Sequence, residues 1–275
     1  MQRTSTIWPG LGLVALLLIF AASAGKADAS DIDDVYAPYA ELLADFASEH
    51  DLPANGLISS FDYRAALDDE ATGERLKAQR LRLASFDPDA LSDRESAIAF
   101  WLNAYNFSMI AHILENPLDG EPISSVRDYG TLVSPYRVFE RELFDVGGRK
   151  YSLSEIELDI LLGEPFRQKG WKDARVHFAV NCASVGCPPL RREPYTADNV
   201  ERLLGENTRR ALNTPLHLRI EGDDLYLTRL FDWYEPDFAE AAGSVRKFVA
   251  EHAAKRLRGK IAATEAIRFI EYDWN

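Results

Sequence analysis

The chain has 275 residues, 47% of them apolar and 11% aromatic, with a formal charge of −13 at pH 7. That apolar share supplies a packed core and excludes an intrinsically disordered chain. The excess of acid repels polyanions, so neither nucleic acid nor an anionic membrane surface is expected as a partner.

Arg3 precedes an uninterrupted apolar run over residues 11–22, LGLVALLLIFAA. The run is too short to span a bilayer comfortably, which takes about 20 residues. Ala22-Ser23-Ala24 and Ala27-Asp28-Ala29 both satisfy the small-x-small cleavage rule. The pattern predicts a signal peptide ending at residue 24 or 29. No cysteine adjoins the run, and no later run of membrane length stands out. A soluble, exported protein is expected, periplasmic in a Gram-negative source and secreted otherwise, with no transmembrane segment after signal removal. In an oxidising compartment two cysteines tend to pair.

Residues 31–50 predict an amphipathic helix, with Val35, Tyr39, Leu42, Leu43 and Phe46 at helical spacing. Residues 57–67 predict a short helix or turn. Residues 74–85 predict a helix with Leu76, Leu81 and Leu83 facing the core. Ser92-Asp93-Arg94-Glu95 reads as a capping box with Ser92 at the N-cap. The helix it opens runs to about Glu115, where Asn116-Pro117 stops it. Apolar residues surround its axis, the mark of a buried central helix. Asn103 and Asn106 sit inside it, and buried amides need partners. Either they pin neighbouring loops or one of them lines a site.

Residues 136–151 predict a β-hairpin turning at Gly147-Gly148, and Ser152 with Glu155 predicts a second capping box before a short helix over 155–162. Val176, Phe178 and Val180 alternate with His177, Ala179 and Asn181, the pattern of a strand with one apolar face. Residues 199–212 predict a helix, 216–230 a second hairpin, 231–238 an aromatic and acidic loop, and 245–257 a last amphipathic helix. No repeat, low-complexity tract or linker interrupts the chain. The expected fold is α+β: N-terminal helices and a buried central helix packed on short antiparallel strands and hairpins. Residues 30–275 are read as a single domain.

Chemistry concentrates in residues 175–190, which hold His177 and both cysteines, Cys182 and Cys187. Four readings compete there. The cysteines would form a disulfide if a turn through Ser184-Val185-Gly186 brings their Cα atoms within roughly 4.4–6.8 Å. Alternatively, Cys182 or Cys187 would be a thiol nucleophile with a histidine base. A strand from His177 to Cys182 sets their Cα atoms roughly 16 Å apart, leaving His50, His112 and His217 as other bases. A metal site of His177-x4-Cys182-x4-Cys187 uses ligand types that zinc accepts, but at spacings of no standard zinc module. The fourth reading is an inert core strand and turn. Downstream, Trp233, Tyr234 and Asp237 would line a glycan or peptide groove or cover a core edge. Asp232 with Asp237 offers paired carboxylates for acid–base chemistry on a sugar.

The residues resemble one family. Ala99-Phe100-Trp101-Leu102-Asn103-Ala104-Tyr105-Asn106 is similar to a helix of the domain of unknown function 547 family. The run from Val176 to Ser184, then Cys187-Pro188-Pro189-Leu190, resembles its central signature. Phe231-Asp232-Trp233-Tyr234 with Asp237-Phe238, and Tyr272-Asp273-Trp274-Asn275, resemble its C-terminal pattern; Arg127-Asp128 and Tyr195 also fit. The likeness covers about residues 57–275.

The resemblance implies exported bacterial and plant relatives and leaves the biochemical activity unassigned; no cofactor and no metal are expected. The function expected of this chain is a binding or structural module of the cell envelope with a peptide or glycan ligand, Asn106, Arg127, Trp233, Tyr234 and Asp237 being the binding candidates. The alternative is a thiol-dependent hydrolase or transferase acting on envelope peptides or glycans, with Cys182 as nucleophile beside His177 and Asn103.

Overall fold

A computed structural model describes residues 29–275, so the expected targeting segment lies, apart from Ala29, outside the described residues. The fold is α+β. Its axis is the helix Arg94–Glu115, in which every residue from Ser96 to Leu114 is buried. The cap differs from expectation. Asp93, not Ser92, is the N-cap, and its carboxylate accepts the Ser96 N–H at 2.8 Å. Asn116 closes the other end by donating from its amide to the His112 carbonyl at 2.9 Å. The helix is long and apolar enough to cross a membrane, yet the 18-residue stretch that meets that test is buried inside the protein. Its apolar surface is therefore spent on the core.

The expected helix over 31–50 is shorter and broken. Helices Ala29–Val35 and Ala37–Phe46 lie on the central helix, joined through a buried Tyr36 hydroxyl that donates to the Phe100 carbonyl at 2.7 Å. Residues 47–50, given to that helix by periodicity, instead open a strand. Ala47–Leu52 pairs antiparallel with Gly56–Phe61, where a helix or turn was expected, in the register Ala47↔Phe61. Helix Thr72–Ser85 buries Leu76 and Leu83 but leaves Leu81 61% exposed, so Leu81 is not a core residue. Its buried Gln79 ties back to the first helices, accepting from the Tyr39 N–H at 3.1 Å and donating to the Val35 carbonyl at 2.9 Å.

The hairpin expected over 136–151 survives only as Phe144–Val146 with Arg149–Tyr151, turning at Gly147 and Gly148 with φ of 61° and 79°. Val138 and Phe139 belong to the short helix Arg137–Glu140. Residues Glu155–Leu161 form a π-helix, with the Ser152 hydroxyl accepting the Glu155 N–H at 3.1 Å. The second expected hairpin is present as Leu218–Glu221 with Asp224–Thr228, and it gains a third strand, Ile267–Ile270, that pairs in parallel. The sheets are thus not all antiparallel. The expected aromatic loop is helical, Leu230–Trp233 and Glu235–Ala242; the helix expected over 245–257 ends at His252, and a further helix, Arg258–Ala263, follows.

Two apolar clusters result. One surrounds the central helix; the other lies between the three-stranded sheet and the C-terminal helices. Residues 174–180 form their seam. Val176, Ala179 and Val180 pack into the first cluster, Ala174 and Phe178 into the second.

Candidate functional site

The seam is not a strand. Ala174–Phe178 is a 3-10 helix, opened by Asp173, whose carboxylate accepts the Arg175 N–H at 2.9 Å. The alternating pattern misled because both sides of the segment are apolar, so burial there carries no period of two. A 3-10 helix rises about 2.0 Å per residue rather than about 3.3 Å, which removes the basis for a wide separation of His177 and Cys182. Both side chains line one cavity.

The loop after the seam is fixed by buried amides. Asn106 donates to the Ala179 carbonyl at 3.0 Å and accepts the Asn181 N–H at 2.8 Å. Asn103 donates to the Tyr195 carbonyl at 2.7 Å and accepts the Tyr195 N–H at 2.9 Å. Asn181 in turn donates to the Pro188 carbonyl at 2.8 Å and accepts the Ala183 N–H at 2.9 Å. Asn207 donates to the carbonyls of Phe178 and Pro189. Asn103 and Asn106 therefore hold loops and do not line the cavity.

Cys182 and Cys187 are bonded to each other, with their Cα atoms 6.1 Å apart. The Tyr272 and Ser184 hydroxyls each lie 3.3 Å from both sulfurs. The C-terminal tail brings Tyr272 there, since the N–H groups of Val185 and Gly186 donate to the carbonyls of Asn275 and Asp273, both at 2.8 Å. Gly186 makes the approach feasible: a Cβ on it would meet the Tyr272 ring at 2.9 Å. Gly186→Ala is expected to displace that ring and cost about 1–3 kcal/mol as an overpacked contact. Thermal unfolding with near-ultraviolet circular dichroism reads both effects, and an unchanged midpoint would remove this role of Gly186.

The cavity measures about 440 Å³. Aromatic walls come from the central helix (Tyr105), the helix after it (Tyr136, Phe139), the helical 230s (Trp233, Tyr234) and the tail (Tyr272, Trp274). The polar groups on its surface are Glu140, Ser154, Glu157 and His177, beside the bonded cysteines. Trp233 and Trp274 stack at 5.8 Å, and Trp233 is 43% exposed at the mouth.

His177 is buried between two carboxylates. Nδ1 lies 3.2 Å from Glu157 Oε1 and Nε2 lies 2.9 Å from Asp237 Oδ2. Its ring stacks on Tyr234 at 4.0 Å. Burial alone would lower its pKa, but the bonds to Asp237 and Glu157 outweigh burial and raise it. Asp237 is held below the usual carboxylate range: burial would raise it, but His177 and Lys172 overcome that. Lys172 Nζ lies 2.7 Å from Asp237 and 2.8 Å from Glu240. The result is a buried imidazole clamped by two acids at the wall of an aromatic cavity, with its protonated form favoured.

This clamp answers the sequence readings one by one. Both ring nitrogens of His177 are engaged by carboxylates, and no histidine nitrogen among the described residues is hydrogen-bonded to a sulfur. His217 is buried and pushed down to about 4 by burial, with a partner in the Cys187 backbone. In the bonded state neither sulfur is a thiolate for nucleophilic attack or metal ligation. The described residues contain no group of three His, Cys, Asp or Glu side chains arranged to hold a metal ion. Trp233 and Tyr234 line the cavity, whereas Asp237 stands behind His177 and Asp232 pairs with Arg229. Arg127 does not line the cavity itself; its guanidinium lies 5.9 Å over the ring of Tyr136, which does. Glu157, Tyr105 and Ser184 escaped the sequence reading. A carboxylate between Ile156 and Leu158, or a tyrosine in an apolar helix, carries no local signal of the partner it meets.

No curated protein and no solved structure matches the chain. Residues 88–211 match the family model described as "Protein of unknown function, DUF547". The match is narrower than the span of about 57–275 read from sequence, and Trp233, Tyr234, Tyr272 and Trp274 lie beyond it. It does contain the central helix, the His177 segment and the bonded cysteines, and over these residues the chain is similar to the domain of unknown function 547 family.

Proposed function

We propose that the protein is a binding module of the cell envelope whose aromatic cavity takes the end of a glycan chain. The observation that carries the reading is the mouth of the cavity, where the Trp233 and Trp274 rings stand beside the Glu140 carboxylate and the Ser154 hydroxyl. Sugar rings present an apolar C–H face to an aromatic ring and hydroxyls to carboxylates, and amphipathic aromatics serve such half-wet sites. A volume of about 440 Å³ suits a ligand of one or two rings. The apolar run over residues 11–22 supports export to the envelope. The bonded sulfurs and the engaged His177 favour binding over thiol-dependent hydrolysis or transfer.

Trp233 and Trp274 make the test direct, because occupancy would change their fluorescence. Soluble N-acetylated disaccharide fragments of an envelope glycan are expected to shift the emission and saturate, with heat on calorimetric titration. Trp233→Ala is expected to weaken binding by about 10–100-fold, the range for an aromatic anchor. Absence of both signals up to millimolar fragment would refute the reading. Binding of a stem tetrapeptide without the sugar would replace the glycan by a peptide.

A further inference from the structure

The bonded cysteines are placed differently from one another. Both line the cavity wall, but Cys182 is half-buried whereas Cys187 is buried at 8% exposure. Hydrogen-bond donors converge on the inner sulfur. The Cys182 N–H points at Cys187 Sγ at 3.0 Å with no counterpart on Cys182 Sγ, and the Ser184 and Tyr272 hydroxyls, 3.3 Å from both sulfurs, are free to turn to Cys187 when the bridge opens. A disulfide sulfur accepts hydrogen bonds weakly, so a backbone amide and two hydroxyls are more than the closed bridge uses. They suit a thiolate, which accepts charge-assisted bonds. Ala183, between the cysteines, adopts φ of 57°, a left-handed conformation that a non-glycine residue disfavours. It is held by the Asn181 side chain.

We propose that Cys182 and Cys187 are a redox-active pair that exchanges with a dithiol, Cys182 being the attacked sulfur and Cys187 the leaving one. A thiolate of the partner attacks Cys182 Sγ from the cavity. A partner–Cys182 disulfide forms as the Cys182–Cys187 bond breaks, and the electron pair of that bond leaves on Cys187 as a thiolate. The second thiolate of the partner then attacks the partner sulfur of the mixed disulfide. The partner leaves oxidised, and Cys182 leaves as the second thiolate. Two electrons pass from the dithiol to the pair, and the two protons of the dithiol end on the cysteines or in solvent. Leaving-group stability governs such exchange, and the three donors at Cys187 supply it. Burial keeps the Tyr272 phenol protonated, and thus a donor, at neutral pH.

The probe is dithiothreitol acting on the native, ligand-free protein, with alkylation and mass spectrometry as the readout, so the outcome is independent of glycan binding. The bridge is expected to open without denaturant and to re-form with oxidised glutathione. Cys187→Ser is expected to trap glutathione on Cys182, whereas Cys182→Ser traps much less on the buried Cys187. Tyr272→Phe is expected to slow opening by roughly 3–10-fold, from loss of one bond to the leaving thiolate. A bridge that opens only in denaturant would overturn the proposal with no variant needed. Equal trapping by the two serine variants, or opening of Tyr272→Phe at the wild-type rate, would also overturn it.

Discussion

His177→Ala is expected to destabilise the protein by roughly 3–5 kcal/mol, because it leaves two carboxylates without their shared cation. Glu157 and Asp237 both bond the imidazole, which is buried and stacked on Tyr234. His177→Gln keeps the bulk and some hydrogen bonding but not the charge, and should lose less. The same cluster sets a pH dependence. The folded pKa of His177 lies above its unfolded value of about 6.5, so its contribution is complete below about pH 6.5 and is lost as pH rises through the folded pKa. Asp237 acts in the opposite direction. Its folded pKa is depressed, so its contribution is complete above the unfolded value near 4 and is lost as pH falls through the folded pKa. The pair is therefore expected to stabilise most between about pH 4 and 6.5. Urea unfolding at a series of pH values should show an alkaline decline in the wild type that His177→Gln flattens. Identical pH profiles for the two proteins would mean that His177 is not charged in the fold.

Asn106→Ala is expected to cost roughly 2–5 kcal/mol, since each buried polar group left unpaired costs about 1–3 kcal/mol. The change strands the Asn181 N–H and leaves the Ala179 carbonyl only the long bond from the Tyr195 hydroxyl at 3.5 Å. Those groups begin the loop that carries Cys182, so lost stability should come with a loosened cavity. Asn106→Asp keeps the acceptor for Asn181 but buries a carboxylate against the Ala179 carbonyl, and should lose at least as much as alanine. Denaturant midpoints rank the three proteins, and hydrogen exchange at Asn181 and Ala183 tests the local effect. An alanine variant within about 0.5 kcal/mol of wild type, the range of neutral surface changes, would show that Asn106 does not hold the loop.

These two side chains mark where sequence was informative and where it was not. The central helix was legible because its apolar residues, acidic cap and Asn-Pro stop are all local signals, although the cap falls on Asp93 and not Ser92. The amides of Asn103 and Asn106 had to find partners, and they pin loops. The helix Val200–Ala211 and the glycine turn at 147–148 were legible for similar reasons. The segment Ala174–Phe178 was misread because its alternation implies a strand only when one side faces water or a single core. Here two apolar clusters enclose it, and burial on every side erases the period.

By itself, the sequence determined an α+β chain built round one buried helix, with His177 and both cysteines gathered in residues 175–190. Only the tertiary structure decided what those residues meet. Glu157 comes from a π-helix 20 residues before His177, Asp237 from a helix 60 residues after it, and Tyr272 reaches the sulfurs from the C-terminal tail. Hydrophobic periodicity is a local property, whereas a hydrogen bond between distant segments depends on how the two apolar clusters dock across the seam. No short stretch of sequence encodes that docking.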